Sequence, residues 1–253
     1  MSTLFTLAPE LVSNQKAHAT SVITLADNDA LVFNRTTQGV NIVGDGTHNG
    51  DIVLYKGVGT FSGITIDCAV TTTTNATEST ISAYDNPGSA TTTTGYLNNF
   101  MINMNTTAST AVAGGESSFT FSFYEAGTYT APNTGIPVVL RNVRMTSIDL
   151  DSSGTGGYQY TDFTGFQKYS LMSPTNLAVN PIANSNRVRF IATKAGARSS
   201  VPEDQVLIKY DSMSSVTATF GNPVESTTNY YGIVFGAWPS AGTTPVELSL
   251  IHI

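Results

Sequence analysis

Phe119-Thr120-Phe121-Ser122-Phe123-Tyr124 decides how this chain folds. An extended strand points alternate side chains to opposite faces, so three phenylalanine rings share one face here. Thr120, Ser122 and Tyr124 occupy the other. Burying such rings contributes about 1.5–3 kcal/mol each from apolar area, before chain entropy is counted. A strand with one oily and one hydroxylated face calls for a second layer to cover the oily side.

Outward from this stretch, strand signals recur at short intervals, separated by Gly, Asn, Asp and Pro. Upstream, Ala30–Asn34, Gly39–Val43, Asp51–Lys56, Phe61–Val70 and Thr77–Tyr84 read as strands. The loop Gly44–Gly50 joins two of them, and Asp85-Asn86-Pro87-Gly88 closes the series as a turn. Downstream, Val138–Leu150 reads as one long strand with a bulge or bend near Arg141–Asn142. Gln167–Leu171, Asn176–Val179, Arg187–Ala192, Val206–Tyr210, Val216–Phe220 and Tyr230–Ala237 follow. Helical periodicity is nearly absent, and its best candidate, Pro9–Lys16, is about two turns long. No fixed short repeat suggests a solenoid. The pattern predicts an all-β fold: a two-sheet, jelly-roll-like (concanavalin-like) antiparallel β-sandwich.

Composition narrows the setting. Charged residues make up 11% of the 253, against roughly a quarter in ordinary soluble domains. Thr, Ser, Asn and Gly stand in their place, with the runs Thr71–Thr74 and Thr91–Thr94. Threonine's branched Cβ favours extended chain, and its hydroxyl meets water without charge. A net charge of −7 opposes nonspecific attraction to nucleic acid or anionic membrane. Arg187, Arg189, Lys194 and Arg198 concentrate the positive charge, but Glu203 and Asp204 follow closely, so a solvated strand and loop is expected there. Cys68 is the single cysteine and forms no intrachain disulfide. No apolar run approaches the ~18 residues that span a bilayer, so no membrane insertion is expected.

Three segments are expected. Residues 1–26 form an N-terminal arm, which either lies along an edge of its own sheet or donates a strand to a neighbour. Residues 27–247 form a single sandwich domain. Residues 248–253, Leu-Ser-Leu-Ile-His-Ile, translate the end sequence of a transposase sequencing adapter and are read as read-through. The opening Met1–Glu10 has no basic region ahead of its apolar residues, and Pro9 and Glu10 interrupt them, unlike a secretory signal.

A resemblance runs through the middle of the chain. Gly50–Lys56, Gly63–Asp67, Tyr84–Gly88, Phe119–Glu125, Val138–Val143, Ile148–Asp151, Thr161–Phe166 with Tyr169, and Tyr231–Gly236 carry it. Over about residues 30–236 the pattern of strands and turns resembles a module of large bacterial adhesin-like surface proteins and marine phage structural proteins. The resemblance implies a β-sandwich in an exposed assembly, localised to a virion or to the extracellular cell surface. It carries no catalytic signature and no assigned ligand residues.

Candidate sites are few. Asp149 and Asp151 precede the hydroxyl- and glycine-rich loop 152–157, and hard oxygen ligands of that sort suit Ca²⁺. Asp45 and Asp51, with Asn49 between them, offer a second such loop. Tyr158, Tyr160 and Asp162 have the chemistry of a sugar-binding face, flat rings beside a carboxylate, though aromatic residues more often fill a core. His18, His48 and His252 show no metal-ligand spacing, and neither a nucleophile elbow nor a phosphate loop occurs. No catalysis is expected. The expectation is a structural or adhesive protein whose partners are copies of itself, other structural subunits, or host or environmental glycans. A carbohydrate-binding lectin-like domain and a polysaccharide hydrolase, which needs only two carboxylates, are the alternatives.

Overall fold

A computed structural model describes residues 20–75, 77, 79–85, 98–106, 115–130, 132, 134–151, 158–194, 201–223, 227–236 and 246–249. Pro9–Lys16, Thr91–Thr94 and the loop 152–157 lie outside them. Among the described residues the chain forms sixteen strands in two sheets packed face to face, as the alternation predicts.

The strands of the first sheet are β1 (Ser21–Thr24), β5 (Ser79–Tyr84), β6 (Phe100–Thr106), β8 (Val138–Ile148), β10 (Lys168–Leu171), β13 (Val206–Met213), β15 (Thr227–Val234) and β16 (Val246–Ser249). They run in the order β16-β10-β13-β8-β15-β6-β5, with β1 beside β8. The second sheet contains β2 (Gly39–Val43), β3 (Ile52–Phe61), β4 (Ile64–Thr74), β7 (Glu116–Glu125), β9 (Tyr160–Thr164), β11 (Leu177–Pro181), β12 (Arg187–Ala192) and β14 (Ser215–Gly221). Its order is β11-β12-β9-β14-β7-β4-β3-β2. Among the described pairs all are antiparallel except β1, which runs parallel to β8 with Ser21 opposite Val138. Ser21–Thr24 thus pairs within its own sheet.

The core lies between the sheets and is rich in aromatic rings. Phe119, Phe121 and Phe123 point inward from β7 and are essentially buried. Phe121 packs 5.0 Å from Phe100 and 5.0 Å from Phe235, centroid to centroid, both mostly edge-on. Leu31 and Phe33 reach the same core from a stretch that the sequence marks as a strand. There the backbone makes one bridge, Leu31 to Phe235, and Phe33 hangs from the Asn98 carbonyl instead of a ladder.

Other boundaries also differ from the sequence reading. Ser62 and Gly63, both at positive φ, make a two-residue hairpin turn between β3 and β4 inside the expected strand Phe61–Val70. The strand expected from Thr77 begins at Ser79. β8 ends at Ile148, because Asp149 takes a left-handed φ of +64° that breaks the alternation and lets Leu150 enter the core. The irregularity expected near Arg141–Asn142 is present, with Asn142 at φ +55°. Inward residues change phase there, from Val138 and Leu140 to Val143 and Met145. β13 changes phase opposite it, from Tyr210 to Met213, so Tyr210 still faces Val143 and Ser212 still faces Arg141.

Polar side chains also join the two sheets. Thr74, Ser79 and Ser117 form a triangle of hydroxyls at 2.8–2.9 Å, and Ser147 meets Thr161 at 2.8 Å. Asp85, 3% exposed, accepts from the Tyr55 hydroxyl at 2.8 Å and the Met101 amide at 3.1 Å, tying β3 to β6. Burial pushes its carboxyl up to about 7, against the opposing pull of those hydrogen bonds and of Arg35. The folded state therefore holds a proton on Asp85 up to about pH 7, and the unfolded chain only to about pH 4. This stabilisation is complete below about pH 4 and is lost as pH rises through 7. Its upper bound is about 4 kcal/mol at 1.36 kcal/mol per unit. The wild type is expected to gain in urea midpoint between pH 7.5 and pH 5, and Asp85→Asn to flatten that rise. Equal slopes in the two proteins would reject it.

Candidate functional site

The outward face of the second sheet carries the hydroxyls that the alternation assigns to it. Thr71, Thr120 and Thr217 line up across β4, β7 and β14 as direct cross-strand partners. The next row holds Thr73, Ser118, Thr219 and Asp162. Thr120 and Thr217 bond at 2.9 Å, and Ser118 and Thr219 at 2.7 Å. Neighbouring strands sit ~4.8 Å apart, so across β4, β7 and β14 these rows make a regular uncharged grid.

At one side the grid meets a cluster of charges. Asp162, 1% exposed, accepts from Arg189 Nε at 2.9 Å and Nη2 at 3.0 Å, and also from Arg187. Arg187 donates to Glu116 from both Nη nitrogens, at 3.1 and 2.9 Å. The Arg189 guanidinium lies 3.4 Å from the centre of the Tyr160 ring, a cation–π stack, and the Tyr160 hydroxyl donates to Glu116 at 3.1 Å. Tyr160 and Glu116 span the intervening β14 because Gly221 stands between them. A Cβ at Gly221 would collide with the Tyr160 ring and hydroxyl. Burial raises the Glu116 carboxyl, but Arg187, Tyr160 and Arg189 outweigh it and hold Glu116 below its ordinary value.

Of the sugar-face residues, Tyr160 and Asp162 are therefore buried in this cluster, with one face of the Tyr160 ring taken by Arg189. Tyr158 is half-buried just ahead of β9. The basic pair Arg187 and Arg189 is engaged with carboxylates.

The two carboxylate loops differ in kind. Asp45, His48 and Asp51 bring three ligand atoms within 4.8 Å of one another, the one such group among the described residues. Asp51 Oδ2 already accepts the backbone N–H groups of Asp45, Gly46 and His48 at 3.0–3.1 Å. Amide hydrogens crowding that oxygen favour the anion and oppose a cation at the same atom. Asp45 is occupied by Thr47, whose hydroxyl and amide hold its carboxyl below the ordinary value. The other loop places Asp149 and Asp151 at the exit of β8, 8% and 9% exposed, and adds Asp204, 8% exposed, from the turn Pro202–Asp204 before β13. Sequence reasoning missed Asp204, since nothing local pairs a residue some fifty positions away with Asp149.

A hollow of about 250 Å³ opens where β9 ends and β13 turns into β14. Thr164, Tyr210, Ser212, Ser215 and Thr217 give it a hydroxyl-rich lining.

No protein-family model matches the sequence, and no curated protein matches it. Among solved structures, the chain is similar to the N-terminal domain of a Streptococcus gordonii adhesin, with a TM-score of 0.49 and 11% identity, over 87% of this chain and 66% of that one. It is also similar to the glucan-binding protein C of Streptococcus mutans, with a TM-score of 0.43 and 13% identity, over 78% of this chain and 62% of that one. The chain spans just under two thirds of the length of each of these structures.

Proposed function

We propose that this chain is a non-catalytic structural or adhesive module of an exposed surface assembly, either a bacterial surface adhesin or a virion component. It meets its partners through the outward face of the second sheet. The observation that carries this reading is the double row of threonine and serine hydroxyls across β4, β7 and β14. A rigid, flat, hydrogen-bonding surface with little charge suits contact with another copy, a neighbouring subunit or a polysaccharide. Such a contact is also less sensitive to salt than an ion-paired one.

The test is association of the purified chain with itself, by light scattering, and with a panel of insoluble and soluble glycans. Thr120→Lys, which places a charge in mid-grid, is expected to weaken association at least tenfold while leaving the far-UV spectrum unchanged. Equal association of the two proteins would reject this face. The hydroxyl-lined hollow beside Tyr210 favours a second reading, a lectin-like domain holding a single sugar. In that case Ser212→Arg abolishes glycan retention and Thr120→Lys does not. Turnover of a polysaccharide, abolished by one carboxylate substitution, would replace both readings with a hydrolase.

A further inference from the structure

We infer that a hollow on the outward face of the second sheet, between the end of β4 and the start of β7, binds one ring of a neutral polysaccharide. This rests on the proposed reading that a polysaccharide is among the partners of that face. The hollow measures about 220 Å³ and is lined by Thr73, Thr74, Asn75, Glu116 and Ser118. It exists because two side chains of β7 turn away from β4. Ser118 bonds Thr219 on β14 at 2.7 Å. Glu116 is drawn the same way, across Gly221, to Arg187 on β12 and Tyr160 on β9. Thr74 turns its hydroxyl inward, to Ser79 at 2.9 Å and Ser117 at 2.8 Å. The space on the β4 side is left open.

The groups around the hollow are complementary and held in place. Glu116 Oε2 accepts from Arg187 and from the Tyr160 hydroxyl, whereas Oε1 accepts from Arg187 alone and keeps a lone pair open. Asn75 Oδ1 accepts the Thr77 amide at 3.2 Å and the Thr77 hydroxyl at 2.8 Å. Those two bonds fix the amide plane, and among the described residues Asn75 Nδ2 and the Thr73 hydroxyl have no partner. A fixed carboxylate acceptor beside a fixed amide donor matches two adjacent hydroxyls of a pyranose. One donates to Glu116 Oε1 while its neighbour accepts from Asn75 Nδ2, and the Thr73 hydroxyl serves a third.

The chemistry selects a neutral sugar. Arg187 is already engaged with Glu116 and Asp162, so it does not serve an acidic ligand. The Glu116 carboxylate and the net charge of −7 repel sulfated or uronic polymers. Among the described residues no aromatic ring lines the hollow, so hydrogen bonds alone hold a single ring. A dissociation constant of about 1 mM is expected for one such ring. The rows of Thr71, Thr120 and Thr217 and of Thr73, Ser118 and Thr219 continue from the hollow across the sheet. Neighbouring rings of the same polymer add contacts there.

The experiment is affinity electrophoresis of the full chain in gels containing hydroxyethylcellulose, galactomannan or laminarin, with alginate as the acidic comparison and mobility read against a polymer-free gel. The wild type is expected to be retarded by at least one neutral polymer and not by alginate. Asn75→Asp keeps the acceptor for Thr77 but replaces the amide donor, and is expected to weaken retention about tenfold. If its far-UV spectrum shows that it does not fold, Thr73→Trp, which fills the hollow from an exposed position, carries the same comparison. Ser212→Arg, at the hollow beside Tyr210, is expected to be retarded as the wild type is. Undiminished retention of Asn75→Asp alongside its loss in Thr120→Lys would overturn this subsite and leave the face standing. Undiminished retention in both would overturn the subsite and the glycan contact of the face together. Passage of the wild type through all three neutral gels, or loss of retention in Ser212→Arg, would also overturn the inference.

Discussion

Replacing Phe121 by alanine is expected to cost about 3–5 kcal/mol of unfolding free energy. The ring is fully buried and stands at the junction of the two sheets, with Phe100 and Phe235 each 5.0 Å away and Phe33 at 5.6 Å. Phe100 belongs to the facing sheet, and Phe33 is held by its amide on the Asn98 carbonyl. Rings fixed by two sheets cannot collapse far into the space left behind, so most of the cavity persists. Thr120→Ala, one residue earlier and on the outward face, is expected to change stability by less than about 1 kcal/mol. Urea denaturation of the two variants tests the assignment of faces directly. A similar loss for both would mean that β7 does not present its rings inward.

The second large effect is expected at Asp162. Its side chain is 1% exposed and serves two arginines at once, whose own side chains are 29% and 18% exposed. Asp162→Ala leaves Arg187 and Arg189 with Glu116 alone, and stranding half-buried cations costs about 3 kcal/mol, the lower end of the range for a broken buried pair. The loss is expected to persist in 0.5 M NaCl, because screening acts weakly on pairs shielded from solvent. A loss below about 1 kcal/mol, or one erased by salt, would class the cluster with ordinary exposed ion pairs.

What was legible in the sequence depended on whether a strand separates oily from polar residues. β7 does so without exception, and its reading carried the fold. β6 does not: Met101 sits on the outward side between inward Phe100 and Ile102, so no alternation shows, and the strand was missed. β9 hides in another way, with Thr161 and Phe163 inward and Tyr160 and Asp162 outward. Its polar and aromatic residues fall on both faces, which made Tyr160 and Asp162 look like a sugar platform. Their partners Arg187 and Arg189 lie some twenty-five positions on, and only the pairing of β12 with β9 puts Arg189 beside Asp162. Likewise Asp149 and Asp151 announced themselves by adjacency, while Asp204 needed the register of β13 on β8 to join them.

The pairing of β1 and β16 gives the domain a polarity. β1 starts opposite Val138 and runs alongside β8, so the chain comes in at the foot of that strand. β16 runs the other way: Glu247 is level with Ser170, Leu207 and Thr146, and Ser249 is level with Lys168, Lys209 and Arg144. Ser21 therefore marks the pole at the foot of β8, and β16 points toward that pole from the level of Thr146. Asp149, Asp151 and Asp204 crown the opposite one, beyond Ile148.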